Sequence, residues 1–277
     1  MIQIENITRS FKKKSVLKQI STTIQPGYIY GLLGKNGEGK TTLLKLISGL
    51  LFPDSGACRV NGQESRKRTL SFLRSFYFLP EEPVLPSVKV KTYIQMYAPF
   101  YNTFDPAICN RTLQAFGISP EDELKSLSLG QRKKAAIALA FGVNTPILLL
   151  DEPTNGLDIP SKSVFRQLLA SFMQEERTVI ISTHQVRDLE SLIDAVLILD
   201  KQQIILNATL ADITRKLSFR KISPQETSLY SQPSLAGTIG ITENTTGEET
   251  PVDLELLFNA IICRQTPIAS ILKNRQQ

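Results

Sequence analysis

Residues 34–42 (GKNGEGKTT) have the composition and spacing of a phosphate-binding loop, G-x-x-x-x-G-K-[ST]. Glycine permits the tight turns that point backbone N–H groups at phosphate oxygens, and the loop contains three: Gly34, Gly37 and Gly39. We expect Lys40 to contact the β- and γ-phosphates and Thr41 to give its hydroxyl to Mg²⁺. The stretch therefore predicts a site for the phosphates of a nucleotide.

Carboxylates and a histidine follow two later apolar stretches. Asp151 and Glu152 come directly after residues 147–150 (ILLL), and His184, the only histidine of the chain, follows residues 178–183 (TVIIST). Open α/β sheets place their ligands at the carboxyl ends of strands. We expect Asp151 to hold Mg²⁺ through its water shell and Glu152 to act as general base on the attacking water. We expect His184, as a neutral imidazole, to hydrogen-bond the γ-phosphate.

The elements around these residues predict an α/β fold. The loop lies between an apolar run, residues 28–33, and a helical pattern over residues 40–50. Further strands and helices alternate after it, which indicates a mostly parallel sheet with helices on both faces. Residues 2–7 and 16–24 read as strands, and turn-flanked residues 57–60 as a third, which predicts an N-terminal β region beside the loop.

A helical segment is predicted between the two halves of the sheet. A buried strand, residues 75–79, ends at the sequence Pro-Glu-Glu-Pro, and helices are expected over residues 89–101, 105–116 and 134–143. Ser128, in SLSLGQ, precedes the last helix. By itself it fits an ordinary N-cap better than an anion site. Phe11 lies in a turn, and its position alone fits stacking on a base as well as core packing.

Composition restricts the class of protein. The chain has 277 residues, 42% of them hydrophobic, with a net charge of +6 and three widely spaced cysteines. We expect a globular protein with free thiols and a cytosolic location, because the N-terminus lacks the apolar core of a secretion signal. The positive charge admits nucleic acid, an anionic membrane surface or a phosphorylated ligand. No basic stripe interleaved with aromatic residues is present, so nucleic acid is not expected as a partner.

The C-terminal part differs in composition. Residues 223–251 are rich in Ser, Thr, Gly, Pro and Glu, which predicts a flexible segment. Residues 251–264 place apolar side chains on one face of a helix. The predicted domains are therefore residues 1–217, with a helical subdomain at about 82–143, and an extension over residues 218–277 with a terminal helix.

The ordered set of motifs GKNGEGKTT, LSLGQ, ILLLDEP, NGLD and STH resembles that of the ATP-binding-cassette (ABC) ATPases over roughly residues 1 to 215. PFYNTFD at residues 99–105, the later FGI and the DLELLFN tail look like the YtrB-like branch among export-type bacterial ABC ATPases. The resemblance implies a P-loop NTPase fold with an N-terminal antiparallel β region and an inserted helical subdomain. It also implies ATP and Mg²⁺ as ligands.

The resemblance assigns roles to residues that match the motifs. It implies catalytic roles for Glu152, His184 and Lys40. It implies that Phe11 stacks on adenine and that the phosphates lie on Gly34, Asn36, Gly37, Gly39, Lys40, Thr41 and Thr42. Residues of the signature and of NGLD would serve the nucleotide bound to an opposite subunit: Ser128, Gly130, Gln131 and Asp158. The implied metal ligands are Thr41, Glu81 and Asp151.

Two positions depart from the family pattern. Leu129 stands where glycine is usual, so its side chain either crowds the partner's nucleotide or points away. Glu81 replaces the glutamine that ordinarily faces Mg²⁺ and the attacking water. A carboxylate coordinates Mg²⁺ more strongly than an amide, but its charge opposes the phosphates. The sequence leaves the effect of these changes on hydrolysis open.

The resemblance also implies partners. A chain with one nucleotide-binding domain is expected to pair with a second ABC ATPase subunit, in a homodimer or a heterodimer, and with a separate transmembrane permease. The expected function is ATP hydrolysis that drives transport, of export type, at the inner face of the cell membrane. Two alternatives stay open at this point: a soluble ABC-type ATPase in assembly or repair, and a nucleotide sensor with weak hydrolysis.

Overall fold

The computed structural model describes residues 1–12, 14–188, 190–223, 226–235, 237–263 and 267–273. Within these ranges thirteen strands form: β1 (Ile2–Phe11), β2 (Lys14–Ile24), β3 (Ile29–Leu33), β4 (Ser55–Val60), β5 (Gln63–Glu64), β6 (Phe76–Leu79), β7 (Ile147–Asp151), β8 (Thr178–Thr183), β9 (Ala195–Asp200), β10 (Gln203–Thr209), β11 (Leu217–Ile222), β12 (Tyr230–Ser234) and β13 (Gly237–Glu243). The same ranges contain nine α-helices: α1 (Lys40–Ile47), α2 (Leu70–Arg74), α3 (Val90–Tyr97), α4 (Pro106–Ala115), α5 (Leu129–Gly142), α6 (Ile159–Phe172), α7 (Leu210–Lys216), α8 (Leu254–Ile262) and α9 (Ile268–Lys273).

The central sheet has six strands in the order β10-β9-β3-β8-β7-β6. All its neighbours pair in parallel except β10, which runs antiparallel to β9. The register pairs Leu33 with Thr183 and Asp151 with Ser182. Because β3, β8 and β7 are neighbours, the chain leaves all three strands at one edge of the sheet. This edge carries the phosphate-binding loop, Asp151 and His184, and the predicted mostly parallel sheet is confirmed.

A second, antiparallel sheet lies on one face of the central sheet, with the order β2-β1-β4-β5. Its alternating isoleucines pack with α1 and with the facing residues of the central sheet in one continuous apolar core. A separate core lies on the other face, between the sheet and the helices of the inserted segment. The antiparallel N-terminal region and the helical insertion are therefore both present.

Small residues let α5 lie close to its neighbours. Its alanines are fully buried, and Phe141 stacks on Phe165 and Phe172 of α6 with ring centroids 6.0 and 5.0 Å apart. This helix begins at Leu129, five residues before the predicted start, because Ser128 provides an N-cap. The helix predicted over residues 89–101 ends at Tyr97 and continues only as a 3₁₀ turn.

The C-terminal extension is more ordered than the composition of residues 223–251 predicts. β12 and β13 fall within that range and form a sheet of order β11-β13-β12, so the prediction of a flexible segment is wrong for these strands. The apolar face of α8 covers this sheet, and its buried residues are Leu254, Leu256, Leu257, Ala260 and Ile261. Short strands of Ser, Thr and Gly are stabilised here because α8, which follows β13 in the chain, buries their few apolar side chains.

None of the described helices is both long and apolar enough to cross a membrane.

Candidate active site

The phosphate-binding loop connects β3 to α1 and leaves the first turn of that helix open. Gly37 and Gly39 have φ of 83° and 107°, a region that favours glycine. A Cβ on Gly39 would lie 2.9 Å from the side chain of Leu17, so the position also lacks space for a side chain. No side chain caps α1 at Gly39, and its first N–H groups are available to an anion.

Lys40 folds back over this loop. Its Nζ donates to the carbonyl oxygens of Gly34 at 2.7 Å and Lys35 at 3.3 Å, and lies 3.7 Å from Oε1 of Glu152. Burial lowers the pKa of Lys40, and the carboxylates of Glu152 and Asp151 oppose that shift. The ammonium is thus held at the mouth of the loop by groups that phosphate oxygens can replace.

Thr41 and Asp151 form a pair of oxygen donors beside the loop. Thr41 Oγ1 donates to Asp151 Oδ2 at 2.7 Å, and Ser182 Oγ donates to Oδ1 of the same carboxylate. Asp151 is only 2% exposed. Hydroxyl and carboxylate oxygens are the hard ligands that Mg²⁺ takes, usually one or two from the protein with water and phosphate completing its shell. The two residues therefore fit a Mg²⁺ ion.

Glu152 directs its carboxylate into the same space. Its φ of 45° lies in the left-handed region, which is uncommon for a residue with a side chain. The backbone N–H of Glu152 donates to Ser182, at 3.1 Å to its carbonyl and 3.1 Å to its hydroxyl. Its Oε1 lies 2.8 Å from Nδ1 of His184. The base candidate is therefore held by β8, the strand that the histidine directly follows.

Most of these groups line one cleft of about 390 Å³, whose lining does not include Gly34 or His184. Of the residues predicted to bind nucleotide or metal, the lining includes Phe11, Asn36, Gly37, Gly39, Lys40, Thr41, Thr42, Glu81 and Asp151, together with Glu152. The Phe11 ring is 42% exposed, with the guanidinium carbon of Arg9 4.8 Å from its centroid. Phe11 is therefore outside the core, and its contact with a base stays a prediction.

The signature residues lie in a second cleft of about 440 Å³, which shares no lining residue with the first. Its lining is Ser128, Gly130, Gln131, Lys134, Gly156 and Asp158. Ser128 is also an N-cap: Gln131 N donates to its Oγ at 3.2 Å, and Ser128 N donates to Gln131 Oε1 at 2.9 Å. Asp158 caps α6 through Ser161. One chain thus separates the two groups of predicted nucleotide contacts.

The two departures from the family pattern have different environments. The Leu129 side chain is 78% exposed, so it points outward and not into the chain's own core. Oε1 of Glu81 accepts a hydrogen bond from Asn155 Nδ2 at 2.6 Å while Glu81 also lines the first cleft. The role of Glu81 as a metal ligand stays a prediction.

Asn155 and Lys133 also belong to this site, although no sequence motif assigned them a role. Lys133 is only 5% exposed, and its Nζ donates to the carbonyl oxygens of Glu152 at 2.7 Å and Asn155 at 2.9 Å. One indication was available, since Lys133 stands on the same helical face as the apolar residues Ala136 and Ile137. A lysine at this position must either bury its ammonium or direct its side chain away from the apolar face of the helix.

Comparisons with known proteins agree with this geometry. A family model described as ABC transporter matches residues 17–155. The ABC transporter ATP-binding protein YtrB of Bacillus subtilis is 31% identical over 191 residues, which cover 69% of this chain and 65%, somewhat less than two thirds, of YtrB. The lantibiotic transport ATP-binding protein SrtF of Streptococcus pyogenes is 31% identical over 74% of this chain and 90% of SrtF.

A solved structure of an ATP-binding subunit of an ABC transporter superposes with a TM-score of 0.70. It is 26% identical and covers 78% of this chain and 92% of its own. One family thus accounts for four features together: the fold, the loop with its lysine, the acidic strand end and the separate signature cleft. The chain belongs to the ABC transporter family and is similar to its ATP-binding subunits.

Proposed function

We propose that this ATPase binds MgATP in the first cleft, pairs head-to-tail with a second ATPase subunit, and drives a separate membrane permease that exports its substrate. The observation that carries the proposal is the separation of two clefts on one chain. The first holds the phosphate, metal and base side chains, whereas Ser128 and Asp158 line the second. A second subunit placed head-to-tail would bring its second cleft over the first.

The first cleft supports hydrolysis by general-base chemistry. Lys40 would exchange its carbonyl partners for the phosphates, and Glu152 would take a proton from the attacking water at Oε1. His184, now 2.8 Å from that oxygen, would hold the carboxylate in place and then contact the γ-phosphate. A Mg²⁺ ion held by Thr41 and Asp151 would supply neutralisation of phosphate charge.

The proposal of a permease partner is supported by a groove of about 450 Å³ on the surface of the chain. It lies beside the loop that carries Glu81, between α2, β6, α3 and the 3₁₀ turn after α3, and its lining is predominantly apolar and aromatic. Leu70, Val84 and Phe100 are 62%, 95% and 65% exposed there. Exposed apolar side chains grouped around a groove are typical of a protein-binding surface. Docking here would hold the chain at the inner face of the membrane. Export is the direction favoured by the resemblance to the YtrB-like branch.

Glu152→Gln tests the proposal, because glutamine keeps the size of the side chain but is a poor base. We expect steady-state ATP turnover to fall about 10²–10⁴-fold. ATP binding should persist, since Lys40 and the loop are unchanged, and a dimer should accumulate with ATP on size-exclusion chromatography. Glu121→Gln is the control, because that carboxylate is 58% exposed and paired with Lys89 and Lys91. Unchanged turnover in Glu152→Gln would remove Glu152 as base, and a monomer at saturating ATP would contradict the shared site.

A further inference from the structure

Lys133 is a buried cation that the hydrolysis scheme does not use. It projects from the second turn of α5, the helix that Ser128 caps, and its Nζ reaches the loop after β7. There it donates to two backbone carbonyl oxygens, of Glu152 at 2.7 Å and of Asn155 at 2.9 Å. Burying an ammonium is costly unless hydrogen bonds and opposite charges compensate, so a lysine at this depth requires a physical reason.

The carbonyl of Glu152 is where this lysine has most effect. Glu152 has a φ of 45°, so its backbone needs support from its surroundings to keep the carboxylate directed at His184 and Lys40. Its N–H is fixed by Ser182, and its carbonyl accepts from Lys133 and from the N–H of Asn155 at 3.2 Å. Lys133 thus holds one of the two peptide groups that orient the base candidate.

Glu81 is the acidic group best placed to balance this ammonium. Burial lowers the pKa of Lys133, and four carboxylates oppose the shift, in decreasing order Glu81, Glu152, Asp151 and Glu82. Asp151 is already engaged by Thr41 and Ser182. Glu152 is likewise engaged, by His184 and Lys40.

The carboxylate of Glu81 is tied to the same loop. It accepts from Asn155 Nδ2 at 2.6 Å, and the carbonyl of Asn155 accepts from Lys133. A continuous polar bridge therefore joins the end of β6, the loop after β7 and α5.

We propose that Lys133 is a positioning residue for ATP hydrolysis, which holds the backbone of Glu152 in its productive conformation. Glu81, linked through Asn155, is its charge partner. The carboxylate at position 81 then serves to neutralise a buried lysine. The inference rests on ATP hydrolysis with Glu152 as base.

The test is a set of variants of the full chain, assayed for kcat and KM of ATP hydrolysis. Lys133→Met keeps the chain length and removes the charge. We expect kcat to fall about 10-fold or more, as hydrogen bonds to a charged group are lost, with KM for ATP changed less than 2-fold because the phosphate loop is untouched. A Lys133→Met variant with wild-type kcat, or a loss confined to KM, would overturn the proposal.

The charge partnership is tested by combining Lys133→Met with Glu81→Gln. Glu81→Gln leaves the buried ammonium of Lys133 without its carboxylate, and Lys133→Met leaves the half-buried carboxylate of Glu81 without its ammonium, whereas the pair of changes leaves neither. The double variant should therefore have a kcat at least 3-fold above that of Lys133→Met. Glu81→Gln with Lys125→Met has the same net charge but removes an exposed lysine, and it should keep the kcat of Glu81→Gln. Losses that simply multiply in the first pair would refute the partnership and would leave Glu81 a direct role at the metal.

A second cycle does not depend on Lys133 variants folding. Asn155→Ala removes the side-chain bond to Glu81 and leaves the backbone carbonyl that accepts from Lys133. Glu81→Leu removes the acceptor of the same bond, so we expect Asn155→Ala and Glu81→Leu each to lower kcat, and their combination to be no slower than the slower single variant. Independent, multiplying losses would overturn the bridge. Glu152→Gln shows whether the proposed function itself fails, because this variant retains full turnover only if Glu152 is not the base. Its result is independent of the Lys133 and Glu81 variants.

Discussion

A mixing experiment between two inactive variants tests whether each active site is shared between subunits. Lys40→Met removes the ammonium of the first cleft. Ser128→Asp places a carboxylate in the second cleft, where it would face the γ-phosphate on the partner. Aspartate caps helices as well as serine does, so α5 should keep its N-cap and the variant its stability. Each variant alone should lose turnover by at least about 10²-fold, the scale for removing or opposing one charge-stabilising group.

The recovery on mixing follows from the arrangement of the two clefts. After random reassociation of a 1:1 mixture, about half of the dimers contain one chain of each kind. In such a dimer the first cleft of the Ser128→Asp chain retains Lys40 and faces the intact Ser128 of the other chain. The opposite site carries both defects. One site in two is intact, so the mixture should recover about a quarter of wild-type turnover.

The assay is phosphate release at saturating ATP, after the two variants are combined at a concentration that supports dimers. Lys40→Met mixed with Glu152→Gln is the control, because both changes lie in the first cleft and no mixed dimer has an intact site. We expect no recovery there. Equal recovery in both mixtures, or none in the first, would refute a head-to-tail dimer with shared sites.

Three further outcomes are expected. Phe11→Ala should weaken ATP binding about 5–150-fold in calorimetric titration, because one base–aromatic stack contributes about 1–3 kcal/mol. Phe11→Tyr keeps an aromatic ring and should bind ATP as the wild type does. Equal ATP affinity of the two variants would place the base elsewhere. Burial raises the pKa of both Cys58 and Cys109 to about 12, so only the exposed Cys263 should react rapidly with a thiol reagent at pH 8, with all three reacting after unfolding. Two fast thiols in the folded chain would contradict this packing. Phe100→Ser should reduce the amount of the protein retained in the membrane fraction of producing cells, because the ring is 65% exposed in the apolar groove. ATPase activity in solution should be unchanged. Undiminished retention would exclude this groove as the docking surface.

The sequence by itself determined where the main polar groups of the first cleft lie. The loop around Lys40, the pair Asp151 and Glu152, and His184 each follow a short apolar run. Such runs become parallel strands, and the carboxyl ends of neighbouring parallel strands lie at one edge of a sheet. The convergence of these groups is therefore predictable from local patterns, and their positions are confirmed. Their catalytic roles stay predictions.

Contacts between residues distant in sequence decided the rest. β12 and β13 lie in the segment that its composition predicted to be flexible, and they pack against the apolar face of α8. No local pattern links Glu81 to Asn155, which are 74 positions apart, or sets the left-handed backbone of Glu152.

Lys133 shows the physical reason most directly. In the sequence it is one of three consecutive basic residues, a run that usually lies in solvent, and only the packing of α5 against the loop after β7 buries its ammonium. Helical periodicity and strand ends are properties of the chain, whereas burial, charge partners and strained dihedrals are properties of the assembled fold. Sequence therefore determined which polar groups lie together at the carboxyl ends of the strands, and tertiary structure decided what holds them in position.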